Sequence, residues 1–512
     1  MGATRELILL LLAIYTAALM FLSYRTRQKH GTGGFFDGQR SFSAPTIFIL
    51  VTALWTSSSI AVELDTGFAS GWAAIWLGVA TALLSVLVAF LAPLFQRLGY
   101  TSNSALLGDV FGRGVRRFSG LVIGITFPIF AMSNVLFAGY FLHALLGWPL
   151  WGTLAVTTAV LILVVQFAGL RSLAAVQGLN LAMMLAGLLV LASVMHHVAL
   201  PSASTPPPIP VPPALVLVWL SMNLLNVLSA QVEFQAVVAA RNIKAARTAV
   251  WLSAGVLGAV AILATWIGDT ARSALGVTGG DGLAAVSQLV VHHGSPIAVV
   301  VIALGVWALA LTWSTPLLFS GAVSLGRDVI GQHLRWTKFA LAIEGALMVG
   351  FALWRPGELA WWSVFGLTLR NAGVVGPTIA ALIWRNRISP KWVLAAMAGG
   401  IFSGLGLNAI TGFSAVHFVW NINPMWISQT VALWILAAGR WHAMQERTHA
   451  VLWAVASGAS LAFIATGPWI PDAVRGVALL IVASAWLAFT AAIDRRRAHQ
   501  PYSTQDRRAT AV

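Results

Sequence analysis

Four hydroxyl side chains in succession, Thr56, Ser57, Ser58 and Ser59, interrupt an otherwise apolar run, TALWTSSS over 52–59. A second polar interruption, SMNLLNVLSAQ over 221–231, brings in Asn223 and Asn226, and Asn134 lies in a third apolar run. Hydroxyls, amides and any carbonyl freed beside them can bind a hard cation or the polar groups of a small solute. The alternative is local: hydroxyls bond back to their own helix, and asparagines hold helices together. Charges inside apolar runs are costlier, roughly 2.5–3.5 kcal/mol each at a helix centre on insertion scales. Glu63, Asp65, Glu344 and Arg370 are such residues. Arg370 suits the carboxylate of a solute, or an ion pair with one of the acids. Glu63 and Asp65 are two residues apart and so point to different sides of a helix. Glu344 reads as structural, while Glu233 and Asp269, near the ends of runs, read as solvated or capping residues. There is no cysteine, and neither a nucleophile–base spacing nor a metal motif accompanies these groups. An enzyme is not expected.

The elements that must position them are membrane helices. Of 512 residues, 59% are hydrophobic and 9% charged; a soluble interior cannot hide that much apolar surface, so lipid is the outer solvent. Windows of about 20 residues predict about 15 transmembrane helices, the weakest at 150–168 and 425–440. Basic residues sort to one side of them. If the loop with Arg25, Arg27, Lys29 and Arg40 is cytoplasmic, 25 of the 30 Lys and Arg residues fall inside. Only Arg5, Arg272, Arg355 and Arg475 fall outside, and Arg370 lies within a span. That is the positive-inside pattern. It places the N-terminus outside and the arginine-rich C-terminus in the cytoplasm, which requires an odd number of crossings. The net charge of +15 is spread over separate loops, so it points to lipid headgroups and not to nucleic acid. The expected location is the cell membrane, multi-pass, in a bacterial inner membrane.

The predicted organisation is an N-terminal anchor helix and loop over 1–43 and a first five-helix set over 44–198. A proline-rich outer linker follows over 199–212, then a second five-helix set over 213–384. Four further helices and a basic tail cover 385–512. Five is odd, so the second set enters from the opposite side: an inverted repeat. The first helix of each set carries its polar interruption, and interrupted helices at matching places point to a transporter site. Both helices are therefore expected to be broken, near 52–59 and near 221–231. Trp361 and Trp362, at the end of a span, are candidate gates.

From about 35 to 400 the chain resembles the sodium:solute symporter family, which contains the proline, pantothenate and glucose symporters. The resemblance rests on FFDGQRSFSAP (35–45), GFASGWAAIW (67–76), TSNSALLGDVFGRGVRR (101–117), AGLRSLAAVQGLN (168–180), AARNIKAAR (239–247) and VVGPTIAALIWRNRISP (374–390), in order. It implies a LeuT-type 5+5 inverted-repeat helical bundle with flanking helices and Na⁺ as coupling ion. The implied cation site uses carbonyls at Thr52 and Trp55 with a hydroxyl pair. One alignment puts that pair on Thr312 and Trp313, of which only Thr312 has a hydroxyl; a two-residue shift puts it on Ser314 and Thr315. Acidic positions of the family fall on Leu54 and Gln177 here, and an arginine position on Ala236, so a reduced site, proton coupling or passive movement stands beside Na⁺ coupling.

The expected function is a secondary active transporter that imports a small polar organic solute, with Thr56–Ser59, Asn134, Asn223, Asn226 and Arg370 as its contacts and no cofactor. The rival is a transporter-like sensor. It calls for a signalling module, whereas the tail after 494 is about 18 residues.

Overall fold

Caps followed by proline set where several helices begin. Ser43, Ser295 and Ser389 each accept a first-turn backbone N–H, ahead of Pro45, Pro296 and Pro390, and Asn423 does the same ahead of Pro424. The cap oxygen satisfies an orphan N–H, and proline has none to satisfy. The computed structural model describes residues 2–26, 41–100, 102–167, 170–198, 206–331, 333–385, 387–445, 447–467 and 470–499. Of the predicted N-terminal loop, Arg27, Lys29 and Arg40 lie outside them.

The helices in chain order are α1 Gly2–Thr26, α2 Ala44–Ser70, α3 Ile75–Leu98, α4 Asn103–Phe111, α5 Arg113–Leu146 and α6 Leu150–Phe167. Then come α7 Leu170–His197, α8 Pro213–Asn226, α9 Gln231–Ala239, α10 Ile243–Leu275, α11 Gly282–His293 and α12 Pro296–Ala322. The last six are α13 Leu334–Trp354, α14 Leu359–Ile383, α15 Pro390–Ile410, α16 Pro424–Met444, α17 Arg447–Thr466 and α18 Asp472–His499. A π-helical stretch, Val323–Ile330, continues α12.

Among the described residues, 12 helical stretches are long and apolar enough to cross a membrane, fewer than the 15 expected from sequence. The difference has three sources. α2 and α3, joined by the 3-10 turn Gly71–Ala74, form one continuous stretch, Ala44–Leu98. α6 is apolar but short, over Leu150–Gln166. α16 does not qualify, because Gln429, Arg440, Trp426, Trp434 and Trp441 dilute its apolar run.

The chain packs as two compact units, residues 1–106 with 117–367, and residues 107–116 with 368–512. In the first, small residues let backbones touch, which is how membrane helices gain attraction that lipid cannot supply. A Cβ on Gly268 of α10 would stand 2.2 Å from the Leu64 carbonyl oxygen of α2, and one on Gly67 would stand 2.7 Å from that of Thr265. α7 and α12 cross at Gly187 and Gly305, where a Cβ on either would lie 2.7 Å from the other's Cα. Just before α2, Phe42 is tied to the end of α9: its N–H donates to Ala239 at 3.0 Å, and Arg241 N–H donates to the Phe42 carbonyl at 2.9 Å. The described part of the proline segment lies against the opposite end of α2, where Ile209 N–H donates to Ala69. Arg272 of α10 donates to the Pro206 carbonyl at 2.6 Å and pairs with Asp269. In the second unit, Gly400 and Gly404 of α15 seat against Ser428 of α16, and buried Asp494 of α18 is paired by Arg440 and Arg387.

Gly268→Ala is expected to destabilise the protein by about 1–3 kcal/mol, because the clash is with backbone. Gly255→Ala on the same helix, where a Cβ meets open space, is expected to be neutral or mildly stabilising. Thermal unfolding of both variants in detergent checks the pair; equal midpoints would contradict the close approach.

Candidate functional site

A helix crossing lipid has no water for a bare carbonyl, so every cut in its hydrogen-bond ladder needs a side chain. Pro316 cuts α12: it has no N–H to give to the carbonyl of Thr312, four residues back. Gln177 of α7 fills the gap, its Nε2 donating to the Thr312 oxygen at 3.0 Å. The remaining amide oxygen of Gln177 is buried without a partner. Beside it, the hydroxyls of Thr312 and Thr315 donate back to Ala308 and Leu311 of their own helix. Three apart, they share a face. With the protons so committed, these oxygens have only lone pairs left to offer, which suits a hard cation. Ser314 turns elsewhere and donates to the Ala131 carbonyl of α5 at 2.7 Å.

α5 brings the serine run to this place. Asn134, fully buried, donates to the Ser57 carbonyl of α2 at 3.0 Å and to the Leu309 carbonyl of α12 at 3.3 Å. Trp313 Nε1 adds a bond to the Phe130 carbonyl at 2.7 Å. In this arrangement Asn134 is a clamp between helices.

α2 itself is not broken, contrary to expectation. It is helical from Ala44 to Ser70. No glycine or proline stands between 46 and 66, and the hydroxyls turn inward on the ladder: Thr56 donates to the Thr52 carbonyl at 2.6 Å and Ser57 to that of Leu54 at 2.8 Å. The Thr52 and Trp55 carbonyls thus belong to a continuous helix, and the Thr52 hydroxyl meets Ser253 of α10 at 2.8 Å. Ser58 is half-buried, and Ser59 is buried with its hydroxyl unpartnered.

The second interruption is broken, as expected. α8 stops at Asn226 and α9 starts at Gln231. Asn226 holds the turn: its carbonyl accepts from Ser229 and Ala230 N–H at 2.8 and 2.7 Å, and its side-chain oxygen accepts from the Ser229 hydroxyl at 3.0 Å. Asn223 bonds back to Trp219 of its own helix. The rest of the break is held from outside. Asn103 Nδ2 donates to the Leu228 carbonyl at 2.8 Å, and its N–H donates to Gln231 Oε1 at 3.1 Å. Gln231 Nε2 reaches the Ser320 hydroxyl at 2.8 Å and that of Ser324 at 3.1 Å. Nearby, Ser102 and Ser104 both donate to Asp328 of the π-helical stretch, at 2.8 and 2.6 Å. Neither Gln231 nor this serine–aspartate group is among the sequence candidates. A faint signal existed, since Gln231 closes the SMNLLNVLSAQ run.

The acids separate as the helical period demands. Glu63 faces Gly78 of α3, with one carboxyl oxygen unpartnered. Ser59 stands one turn back on the same helix. Asp65 instead accepts two backbone N–H groups, from Gly282 at the start of α11 (3.1 Å) and Leu359 at the start of α14 (3.0 Å). Positive helix ends suit a carboxylate. Asp281, which caps α11 through Ala284 N–H, lies outside the spans. Burial raises its carboxyl above the usual range, against the opposing pull of the Tyr140 hydroxyl and first-turn N–H groups. Glu233 is buried in the first turn of α9, which excludes the solvated alternative and leaves the helix-end one. Trp361 stacks on Phe365 with ring centres 5.1 Å apart and carries the Arg355 guanidinium at 4.0 Å, while Trp362 Nε1 donates to the Arg355 carbonyl. Arg370 is buried in α14 and belongs to the second unit. Among the described residues, no group of three or more His, Asp or Glu could hold a metal ion.

No family model matches the chain, and no curated protein matches it. Solved structures do. A Na⁺-coupled sialic acid symporter, in a substrate-bound outward-open state, overlays with a TM-score of 0.66 at 15% identity, over 87% of this chain and 98% of that one. The fold is of the LeuT type. Lower overlaps are found with Mhp1, a nucleobase-cation-symport-1 family transporter (TM-score 0.49, 14% identity, 89% of this chain and 95% of that one). A mutant manganese transporter of Eremococcus coleocola gives a TM-score of 0.39 at 11% identity, over 92% and 98%.

Gln177→Leu strands the Thr312 carbonyl and is expected to cost about 1–3 kcal/mol; Gln177→Met removes the same donor. Denaturant unfolding of the two variants checks this, and unchanged stability in both would refute the bridging role. Asp65→Asn places an amide N–H₂ against a helix-end N–H and is expected to cost about 1.5–3 kcal/mol. Thermal melts of Asp65→Asn beside wild type read it.

Proposed function

We propose that this chain is a secondary active transporter that imports a small polar organic solute by alternating access, coupled to Na⁺. The observation that carries the reading is the broken α8–α9 helix, set in a LeuT-type fold and joined through Gln231 to α12. A discontinuous helix within lipid persists only where it lines a cavity or is buried in protein, and such helices form the binding sites of this kind of transporter. In this reading 44–198 and 213–384 are the inverted five-helix sets, the N-terminus is outside and the basic C-terminus cytoplasmic. Thr56–Ser59, Asn134, Asn223 and Asn226, all in the first unit, line the solute path.

Na⁺ is supported by oxygens with lone pairs to offer: the unpartnered Gln177 amide oxygen, and the hydroxyls of Thr312 and Thr315, whose protons are committed to their own helix. The unbroken α2 argues for a cation site that leans on side chains more than on the Thr52 and Trp55 carbonyls. The solved symporter with the same fold is itself Na⁺-coupled. The second reading, proton-coupled or passive transport, rests on the neutral residues Leu54 and Gln177 at positions that are acidic in the family the sequence resembles.

A thermal scan in NaCl against choline chloride at matched ionic strength separates the two. Saturable Na⁺ binding to the folded chain raises stability, by about 2.7 kcal/mol at a hundredfold excess over Kd. The rise is expected to vanish in Thr312→Ala and to survive in Ser314→Ala, whose hydroxyl is engaged by α5. Identical melts in the two salts would remove Na⁺ coupling.

A further inference from the structure

Glu344 stands midway along α13 and is completely buried. Neither of its carboxyl oxygens has a hydrogen-bond partner. The carboxyl lies on Gly321 of α12, where a Cβ would come within 2.4 and 2.6 Å of the two oxygens. Any other residue at 321 would fill the space the carboxyl occupies. The adjoining Gly345 meets Thr158 and Ile162 of α6, so helices flank this stretch of α13 on two sides.

Charges that could compensate an ionised Glu344 are missing from the helices packed around it. α12 carries no charged residue, nor does α6. The π-helical stretch carries Arg327 and Asp328, and Asp328 is engaged by Ser102 and Ser104. On α13 itself the basic residues are Arg335, against Trp336, and Lys338, about 9 Å or more away along the axis at 1.5 Å per residue. No ion pair found among the described residues includes Glu344. A carboxylate placed there would have neither water nor a counter-charge, which is among the costliest arrangements a protein can hold. A neutral acid meets no such cost.

We propose that Glu344 is a proton-binding site, filled in the packed arrangement of α12 and α13, whose emptying drives the two helices apart. Gly321 follows Ser320, which accepts from Gln231 at the start of α9. Displacing α12 at Gly321 therefore pulls on the broken helix, which ties proton occupancy to the element that the transport reading expects to move. The site takes H⁺ and not a metal ion, since a metal needs several oxygens and, among the described residues, no second acid or histidine group joins this carboxyl in a metal cluster.

The test uses the full chain in detergent and needs no solute, so its failure is distinct from failure of the transporter reading. Unfolding is followed from about pH 5 to pH 9 for wild type and Glu344→Gln, which keeps the shape of the neutral acid. A proton held in the fold and released on unfolding makes wild-type stability fall as pH rises. The unfolding constant should grow by up to tenfold per pH unit relative to Glu344→Gln. Parallel curves for the two proteins would overturn the proposal. Should the glutamine variant not fold, Gly321→Ala gives a second reading. It is expected to be damaging in the wild-type background and tolerated alongside Glu344→Ala; equal damage in both would overturn the placement of the carboxyl.

Discussion

A carbonyl oxygen buried among membrane helices has no solvent to turn to, and two such oxygens organise the first unit. Pro316 strips the Thr312 carbonyl of its helical donor, and the turn after Asn226 exposes the carbonyl of Leu228. Each is met by an amide from a distant helix, Gln177 in one case and Asn103 in the other. Those two bonds draw α7 onto α12 and fix the start of α4 against the break. A Gln177 oxygen without a partner, and two threonine hydroxyls with their protons given to their own helix, are the polar groups left over.

Environment separates acids that composition would treat alike. Asp65 accepts from two helix N-termini and so staples α2, α11 and α14 together. Glu344 receives nothing, and its only accommodation is a glycine opposite. Glu63 stands between, with one oxygen unpartnered and a serine one turn away. The same chemical group ties helices together in the first place and is a reservoir for a proton in the second.

Close backbone approach gives the first unit its frame. At Gly67 and Gly268, and again at Gly187 and Gly305, helices touch without intervening side chains. Many short contacts then replace the hydrophobic drive that lipid removes. The polar clamps of Asn134 and Gln231 act across helices already held in register by such contacts.

Much of this is legible in the amino-acid sequence. Hydropathy alone marks a helical membrane protein, because a polar backbone can cross lipid only as helix or closed barrel. The polar interruption at 221–231 marks the broken helix, and the two-residue spacing of Glu63 and Asp65 predicts their opposite faces. The state of α2 was not legible. A hydroxyl run can open a helix or bond back onto it, and only the neighbours of Thr56 and Ser57 decide which. The break near Asn226 has no glycine or proline to announce it; Asn103, more than a hundred residues earlier, holds it. Local sequence thus determines which segments are helical and where polar atoms enter the membrane. Whether each polar atom is used up by the backbone or left for a ligand depends on what other helices bring within 3 Å, and that is settled only by the tertiary structure.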